Sequence, residues 1–419
     1  MKIFKFGGAS SKDAEGVKNI TQIIKITDDK NLVIVVSAMG KTTNLLEKVI
    51  AEYLKDDRAK CNEYVSEFKD YHLEIIKDLF ENTSHPVYQK VLDLFEKLSS
   101  FLDVNKSKNH SFVYDQVVGY GEMVSSTIVS EYLSEVGLKN EFLDVRKCIK
   151  TDANYRDASV NWELTQQRIS EKVNPIGLSV TQGFLGSENT NNFTTTLGRE
   201  GSDYTAAIFA YCLNAESVTI WKDVPGVLNA DPRYFSQTML LNRISYREAI
   251  ELAFYGASVI HPKTLQPLQR KEIPLYVKSF LNPTAAGTCV GKGVAIEPST
   301  SCFILKKDLV LISLSSLDFS FMMEDNIGDV FKWLHDHKMN VELIQNSAIS
   351  FSVCVNDKFG NLEALLAKLR ERFRVKWNEN VTLYTIRHFN SAEVKALVEN
   401  KNVLLKQESK ETVQLIIKE

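Results

Sequence analysis

Lys2-Ile3-Phe4-Lys5-Phe6-Gly7-Gly8-Ala9-Ser10 decides the fold. Residues 2–6 are a short apolar and aromatic run that reads as a buried strand. Residues 13–26 carry apolar side chains at helical spacing, and residues 32–36 (LVIVV) form a second apolar run of strand length. Strand, helix and strand in that order make one unit. Strand-like runs recur at 141–145, 176–181 and 217–221. Residues 44–104 read as almost wholly helical and amphipathic, broken near Ser84-His85-Pro86, and a further helix follows Gly121. Such alternation predicts an α/β sandwich built on a mainly parallel sheet.

The texture changes at Glu297-Pro298-Ser299-Thr300. From Cys302 the chain reads as strand, strand, helix (326–337), strand (340–345), strand (349–355) and helix (361–372). Strand (381–388), helix (391–399), strand (402–407) and strand (411–417) follow. This predicts two small β-α-β-β modules of α+β type in tandem. The expected division is therefore residues 1–298 and residues 299–419, and every motif with chemical character falls in the first part.

Bulk properties narrow the function. The 419 residues suit two or three domains, and the 44% hydrophobic and 25% charged shares are ordinary globular values. A formal charge of -3 with no basic stripe gives no support for nucleic acid or membrane-surface binding. The six cysteines are scattered without a C-x-x-C pair, which argues against a disulfide framework or zinc site and fits a reducing compartment. The chain opens directly on a strand and holds no run long enough to cross a bilayer, so a cytoplasmic protein is expected.

Six motifs carry chemistry. Gly7 and Gly8 lie between a strand and a helix, where bare backbone can approach an anion and Lys5 can reach its phosphates; a plain βα turn would also need glycine. Ser37-Ala38-Met39-Gly40-Lys41-Thr42-Thr43 lies in a similar place, but Val35 occupies the first glycine position of a P-loop, which excludes that motif. Ser37 and Thr43 remain as hydroxyl donors or as helix caps. Glu122, in Gly119-Tyr120-Gly121-Glu122, suits a substrate amine or a helix dipole.

The fourth motif, Thr194-Thr195-Thr196-Leu197-Gly198-Arg199-Glu200-Gly201-Ser202-Asp203, is the most informative. Arg199 suits a two-point grip on a carboxylate, and Asp203 can organise a lysine or magnesium. Trp221 to Arg233 follows a strand and is punctuated by Pro225-Gly226 and Asp231-Pro232. The sixth runs from Gly256 to Thr264, with no second histidine or cysteine at ligand spacing near His261, so no metal is assigned to it.

Together these motifs resemble the aspartokinases of the amino acid kinase superfamily, in that family's order. KFGGAS resembles KFGGTS, TTTLGREGSD resembles TTLGRGGSD, and YGASVIHPKT resembles GAKVLHPRT. The likeness is strong over residues 1–290, and the tail resembles paired ACT modules more loosely. It implies an ATP-dependent phosphorylation of L-aspartate, with Mg2+ accompanying the nucleotide. By the resemblance, Lys5, Gly7, Gly8 and Ser10 would meet the ATP phosphates, and Lys222, Asp223, Arg233 and Lys263 would line the nucleotide side. Arg199 would hold the substrate α-carboxylate and Glu122 its amine, with Ser37, Thr43, Phe184 and Ser202 shaping the pocket. Lys5 and Asp203 would be the catalytic pair.

Three departures stand out: Ala9 for a threonine, Glu200 for a glycine, and Ser258 for a lysine. Glu200 must point away or pair with a lysine. Another superfamily activity, or a non-catalytic amino-acid sensor, is disfavoured by the helical insertion at 44–104 and by the joint presence of Lys5, Arg199 and Asp203. The end of the chain leaves no room for a fused dehydrogenase, so a single activity is expected. In the tail, Asn340 to Ala348 resembles the family's effector-binding run. It implies an amino-acid effector, lysine ahead of threonine, with Asp325, Gly328, Glu342 and Ser347 at its site. The modules are also expected to pair copies into a homodimer or higher oligomer.

Overall fold

The computed structural model describes every residue except Ser258, Val259, Val294, Phe319 and Glu419. It divides into two compact units, one formed by Met1–Val227, Leu240–Ile250 and Ser258–Glu297, the other by Leu228–Met239, Glu251–Ala257 and Pro298–Glu419.

The first unit is organised by a nine-stranded sheet. From edge to edge it runs Ile296–Glu297, Arg243–Ser245, Thr288–Gly291, Leu275–Ser279, Ser217–Lys222, Lys2–Phe6, Leu32–Val36, Leu178–Gln182, Asn140–Leu143. The six strands from Leu275–Ser279 to Asn140–Leu143 are mutually parallel, as the alternation predicts. Lys2–Phe6 lies inside the parallel part, with Lys5 opposite Val35 on one side and Ile220 on the other. Phe4, Phe6, Leu32, Ile34 and Val36 join one core with Ile20, Ile23 and Ile24 of helix Ala14–Thr27. A strand buried on both faces needs this near-continuous apolar run.

The predicted helical stretch 44–104 is three helices, Thr42–Leu54, Arg58–Leu79 and Pro86–Val104. Asp57 caps the second by accepting from the Lys60 N–H at 3.1 Å, and His85 with Pro86 starts the third. The turn at 55–57 contains no proline or glycine, so hydrophobic periodicity runs through it unbroken. Among the described residues no helix is long and apolar enough to cross a membrane.

The second unit holds a six-stranded antiparallel sheet, ordered Asn340–Asn346, Ser350–Asn356, Cys302–Ser316, Phe373–Arg387, Thr412–Lys418, Asn402–Glu408. Its tandem character follows the expectation, but two strands differ from it. The pair of strands read after Cys302 is one 15-residue strand, kept continuous through a register shift near Asp308, whose φ is 56°. The strand expected at 381–388 starts instead at Phe373. Its polar opening, Arg374 to Asn378, reads as loop, yet each of these residues pairs across to strand Cys302–Ser316.

One buried group in the first unit ties stability to pH. His72 lies inside helix Arg58–Leu79 beside Phe68, Tyr71 and Phe95, with Nδ1 2.7 Å from the Phe68 carbonyl oxygen. Burial lowers its pKa to about 4. The unfolded imidazole protonates first, so stability is intact above about pH 6.5 and falls as pH drops towards about 4. His72→Phe should remove about 3 kcal/mol of that acid loss. Urea midpoints at about pH 7 and about pH 4.5 measure it.

Candidate active site

Strand ends set the site. The loops after Lys2–Phe6 and Leu32–Val36 interlock: the Gly40 N–H donates to the Gly8 carbonyl at 3.0 Å, and the Ser37 N–H to that of Phe6 at 3.1 Å. A Cβ on Gly8 would lie 2.7 Å from the Ala38 carbonyl oxygen and 2.8 Å from that of Gly40. Glycine is required there by close backbone approach.

Helix Gly201–Leu213 points its first turn at these loops. Ser202 to Ala210 are all buried, and Ala206, Ala207 and Ala210 keep the helix thin enough to sit inside the unit. The Lys5 Nζ lies 2.7 Å from the Asp203 Oδ1, and the Lys222 Nζ 3.6 Å from its Oδ2. Burial alone would raise the Asp203 carboxyl, but Lys5 and then Lys222 outweigh it and hold it below the usual carboxylate range. The Glu200 side chain also hydrogen-bonds Asp203, so two lysines and two carboxyl groups meet here.

Glu122 is different. It is buried in the first turn of helix Tyr120–Glu135 and accepts a long bond, 3.4 Å, from the Ala38 N–H. Its Oε2 is buried with no hydrogen bond. Burial pushes its carboxyl up to about 8. A buried acid lacking a full set of donors is poised to take a cation.

Lys5, Asp203 and Glu122 face one cavity of about 440 Å³, which Lys222 does not line. Of the residues singled out in the sequence, Lys5, Gly8, Ser37, Thr43, Glu122, Phe184, Arg199, Ser202 and Asp203 line it. Phe184 is held at φ 70° by its N–H bond to Thr205 Oγ1 at 2.9 Å. Glu200 also lines the cavity, at φ 55°, a backbone state that glycine adopts without cost. Among the described residues no lysine pairs with it.

Others lie elsewhere. Gly7 sits just behind the Lys5 ammonium, and the Ser10 hydroxyl donates to the Trp221 carbonyl at 3.3 Å. Asp223 is exposed. Arg233 belongs to the second unit, where it pairs with Asp231 at 2.6 Å. Lys263 is ion-paired to Asp157, and its Nζ donates to the Leu197 carbonyl at 3.3 Å. His261 caps helix Pro262–Arg270, accepting from the Lys263 N–H at 3.3 Å. Ser258 lies outside the described residues. Ala38, Gly40 and Gly198, which lie in two of the motifs but were given no role, also line the cavity, and Tyr114 and Arg156 line it without having been anticipated. Arg156 sits in an ordinary-looking turn, Asp152-Ala153-Asn154-Tyr155-Arg156-Asp157, and only that cluster of turn formers marks it.

In the second unit, Asp325 and Gly328 lie in the opening turns of helix Glu324–Asp336. The Met322 N–H bonds the Ala348 carbonyl at 2.8 Å, which brings this helix start beside Ser347. Glu342 is drawn away: it stands at a bulge in strand Asn340–Asn346 and is ion-paired to Lys306.

Comparison with known proteins agrees with this geometry. Residues 1–279 match the family model described as Amino acid kinase family. Lysine-sensitive aspartokinase 3 of Escherichia coli (strain K12) is 31% identical over 396 residues, spanning 92% of this chain and 86% of its own. The crystal structure of E. coli aspartokinase III in complex with lysine and aspartate (T-state) superposes with a TM-score of 0.83 at 29% identity, covering 99% of this chain and 95% of that one. The structure of the same enzyme in complex with aspartate and ADP (R-state) gives 0.80 at 29% identity, covering 100% and 96%. The chain belongs to the amino acid kinase family and, within it, to the aspartokinases.

The interlocked loops yield a direct prediction. Gly8→Ala should leave the melting temperature within a few degrees but force the two loops apart. Nucleotide affinity should fall about tenfold or more, measured by calorimetry with ATP.

Proposed function

We propose that this chain transfers the γ-phosphoryl group of ATP to the side-chain carboxylate of L-aspartate, giving 4-phospho-L-aspartate, the first step towards lysine, threonine and methionine. The observation that carries the reading is a single cavity whose wall holds Lys5, Asp203, Arg199 and Glu122, with Lys222 reaching Asp203 from beside it. Lys5 and Lys222 neutralise the transferring phosphate, while Asp203 fixes both ammonium groups. Arg199 takes the α-carboxylate by a two-point grip. Glu122 takes the amine, and Ser37, Thr43, Phe184 and Ser202 complete the pocket. The acceptor carboxylate is already ionised near neutral pH, so no general base is needed. Catalysis rests on alignment and charge neutralisation.

Magnesium fits as cargo of the triphosphate. Among the described residues no three of His, Cys, Asp or Glu gather as metal ligands, and Asp203 is taken by two lysines. Magnesium on ATP typically binds through phosphate oxygens and water. When bound, it supplies further charge neutralisation at the phosphates.

We assign residues 1–298 to catalysis and 299–419 to regulation, in a cytoplasmic homodimer or larger oligomer joined through the tail. Lysine, with threonine second, is the expected inhibitor, which the lysine-sensitive E. coli relative supports. The Glu342–Lys306 pair means that an effector ammonium must compete with an internal lysine for this carboxylate. Weak effector affinity is the consequence.

A coupled assay of ADP release across a panel of amino acids tests the reading. Turnover with L-aspartate alone supports it, and turnover with another acceptor but not aspartate overturns it. The Glu122 carboxyl, protonated below about pH 8 in the empty site, must ionise to hold an ammonium group. The KM for aspartate should therefore fall as pH rises towards about 8, and Glu122→Gln should flatten that dependence.

A further inference from the structure

Asp115 and Arg156 have no part in the roles assigned above, yet both are carefully placed. Asp115 is fully buried in helix His110–Val118. Its two oxygens accept from the Arg156 N–H at 3.1 Å each, from the Thr196 N–H at 2.8 Å and from the Thr196 hydroxyl at 2.8 Å. One carboxylate thus ties the loop carrying Arg156 to the strand that leads into Gly198 and Arg199. The Ala158 N–H bond to the Thr196 carbonyl at 3.0 Å fastens the same two segments.

Arg156 is held in an uncommon state by this anchor. Its φ is 74°, outside the region arginine prefers, and its guanidinium lies over the Tyr114 ring at 4.6 Å. Its carbonyl oxygen would lie 3.4 Å from a Cβ on Gly198, the residue before Arg199. Among the described residues, no carboxylate is ion-paired with Arg156 or with Arg199. Two unpaired guanidinium groups therefore line the same cavity on adjoining segments. Stacking on an aromatic ring orients a planar cation without neutralising it.

We propose that Arg156 is a second arginine for the α-carboxylate of the amino-acid substrate, forming with Arg199 a two-arginine clamp whose spacing is set by the buried carboxylate of Asp115. Arg156 determines specificity by direct contact, and Asp115 is a positioning residue that acts through it. The proposal rests on the aspartate-kinase reading. Its logic is economy of charge: Asp203 holds Lys5 and Lys222 together for the phosphate, so the two arginines are left for the amino acid's own anionic groups.

The test uses the full chain with L-aspartate and with its α-carboxamide analogue, in wild type, Arg156→Ala, Arg156→Lys and Asp115→Asn. Arg156→Ala should raise the KM for aspartate about tenfold while leaving kcat and the KM for ATP within about twofold. Arg156→Lys should recover only part of that loss. The preference for aspartate over the α-amide should shrink about tenfold in Arg156→Ala, because the lost group and the lost arginine are partners. Asp115→Asn should raise the KM for aspartate without lowering kcat, and should add little to Arg156→Ala. An unchanged KM, or an unchanged preference for the free carboxylate, overturns the clamp while leaving the kinase reading intact. A rise in the KM for ATP instead would move Arg156 to the nucleotide and also overturn it. Wild type that fails to phosphorylate aspartate at all overturns both.

Discussion

The buried contact between Lys5 and Asp203 is the constraint on which the site depends. Burying an ion pair carries a desolvation penalty of several kcal/mol per ion, offset only when geometry and neighbouring charge are favourable. Here Lys5 projects from an interior strand of the sheet and Asp203 from the first turn of a helix buried from Gly201 to Ala210. Both side chains are buried where they meet. The pair therefore fixes the helix start against the strand end, and with it every group the helix start presents.

Several otherwise separate features follow from that placement. The helix must be narrow, which the run of alanines provides. Its first turn must be free to face the cavity, so Glu200 and Gly201 turn the chain sharply into it. The neighbouring loop must come close, which demands Gly8. Lys222 then brings a second cation to the same carboxylate. Removing either member of a buried pair strands the other, typically at about 3–5 kcal/mol, so the arrangement is as much structural as catalytic.

The sequence was most readable where one local pattern coincided with one structural element. Lys2–Phe6, Leu32–Val36 and the Gly7-Gly8 turn are legible because burial on both faces and close backbone approach each leave a compositional mark. The same holds for the motif around Arg199 and Asp203, where special residues are crowded into one stretch. Legibility failed where the deciding partner is distant in the chain. The polar strand from Arg374 to Asn378 exists because Cys302–Ser316 is there to pair with it. Asp115 and Arg156 are 41 residues apart and meet only in the fold. Lys263 carries a charge suited to a nucleotide, but Asp157, 106 residues away, engages it, and Arg233 is engaged by its neighbour Asp231. Similarly, nothing near Glu342 in the sequence announces Lys306.

If Lys5 and Asp203 act as one unit, their contributions to catalysis cannot be independent. A double-mutant cycle on turnover, with Lys5→Met, Asp203→Asn and the combined variant, measures this directly once circular dichroism shows each to be folded. The account predicts that each single change lowers kcat about a hundredfold or more, and that the double variant is within about threefold of the worse single one. Losses that multiply, or a single variant that keeps wild-type kcat, would contradict it.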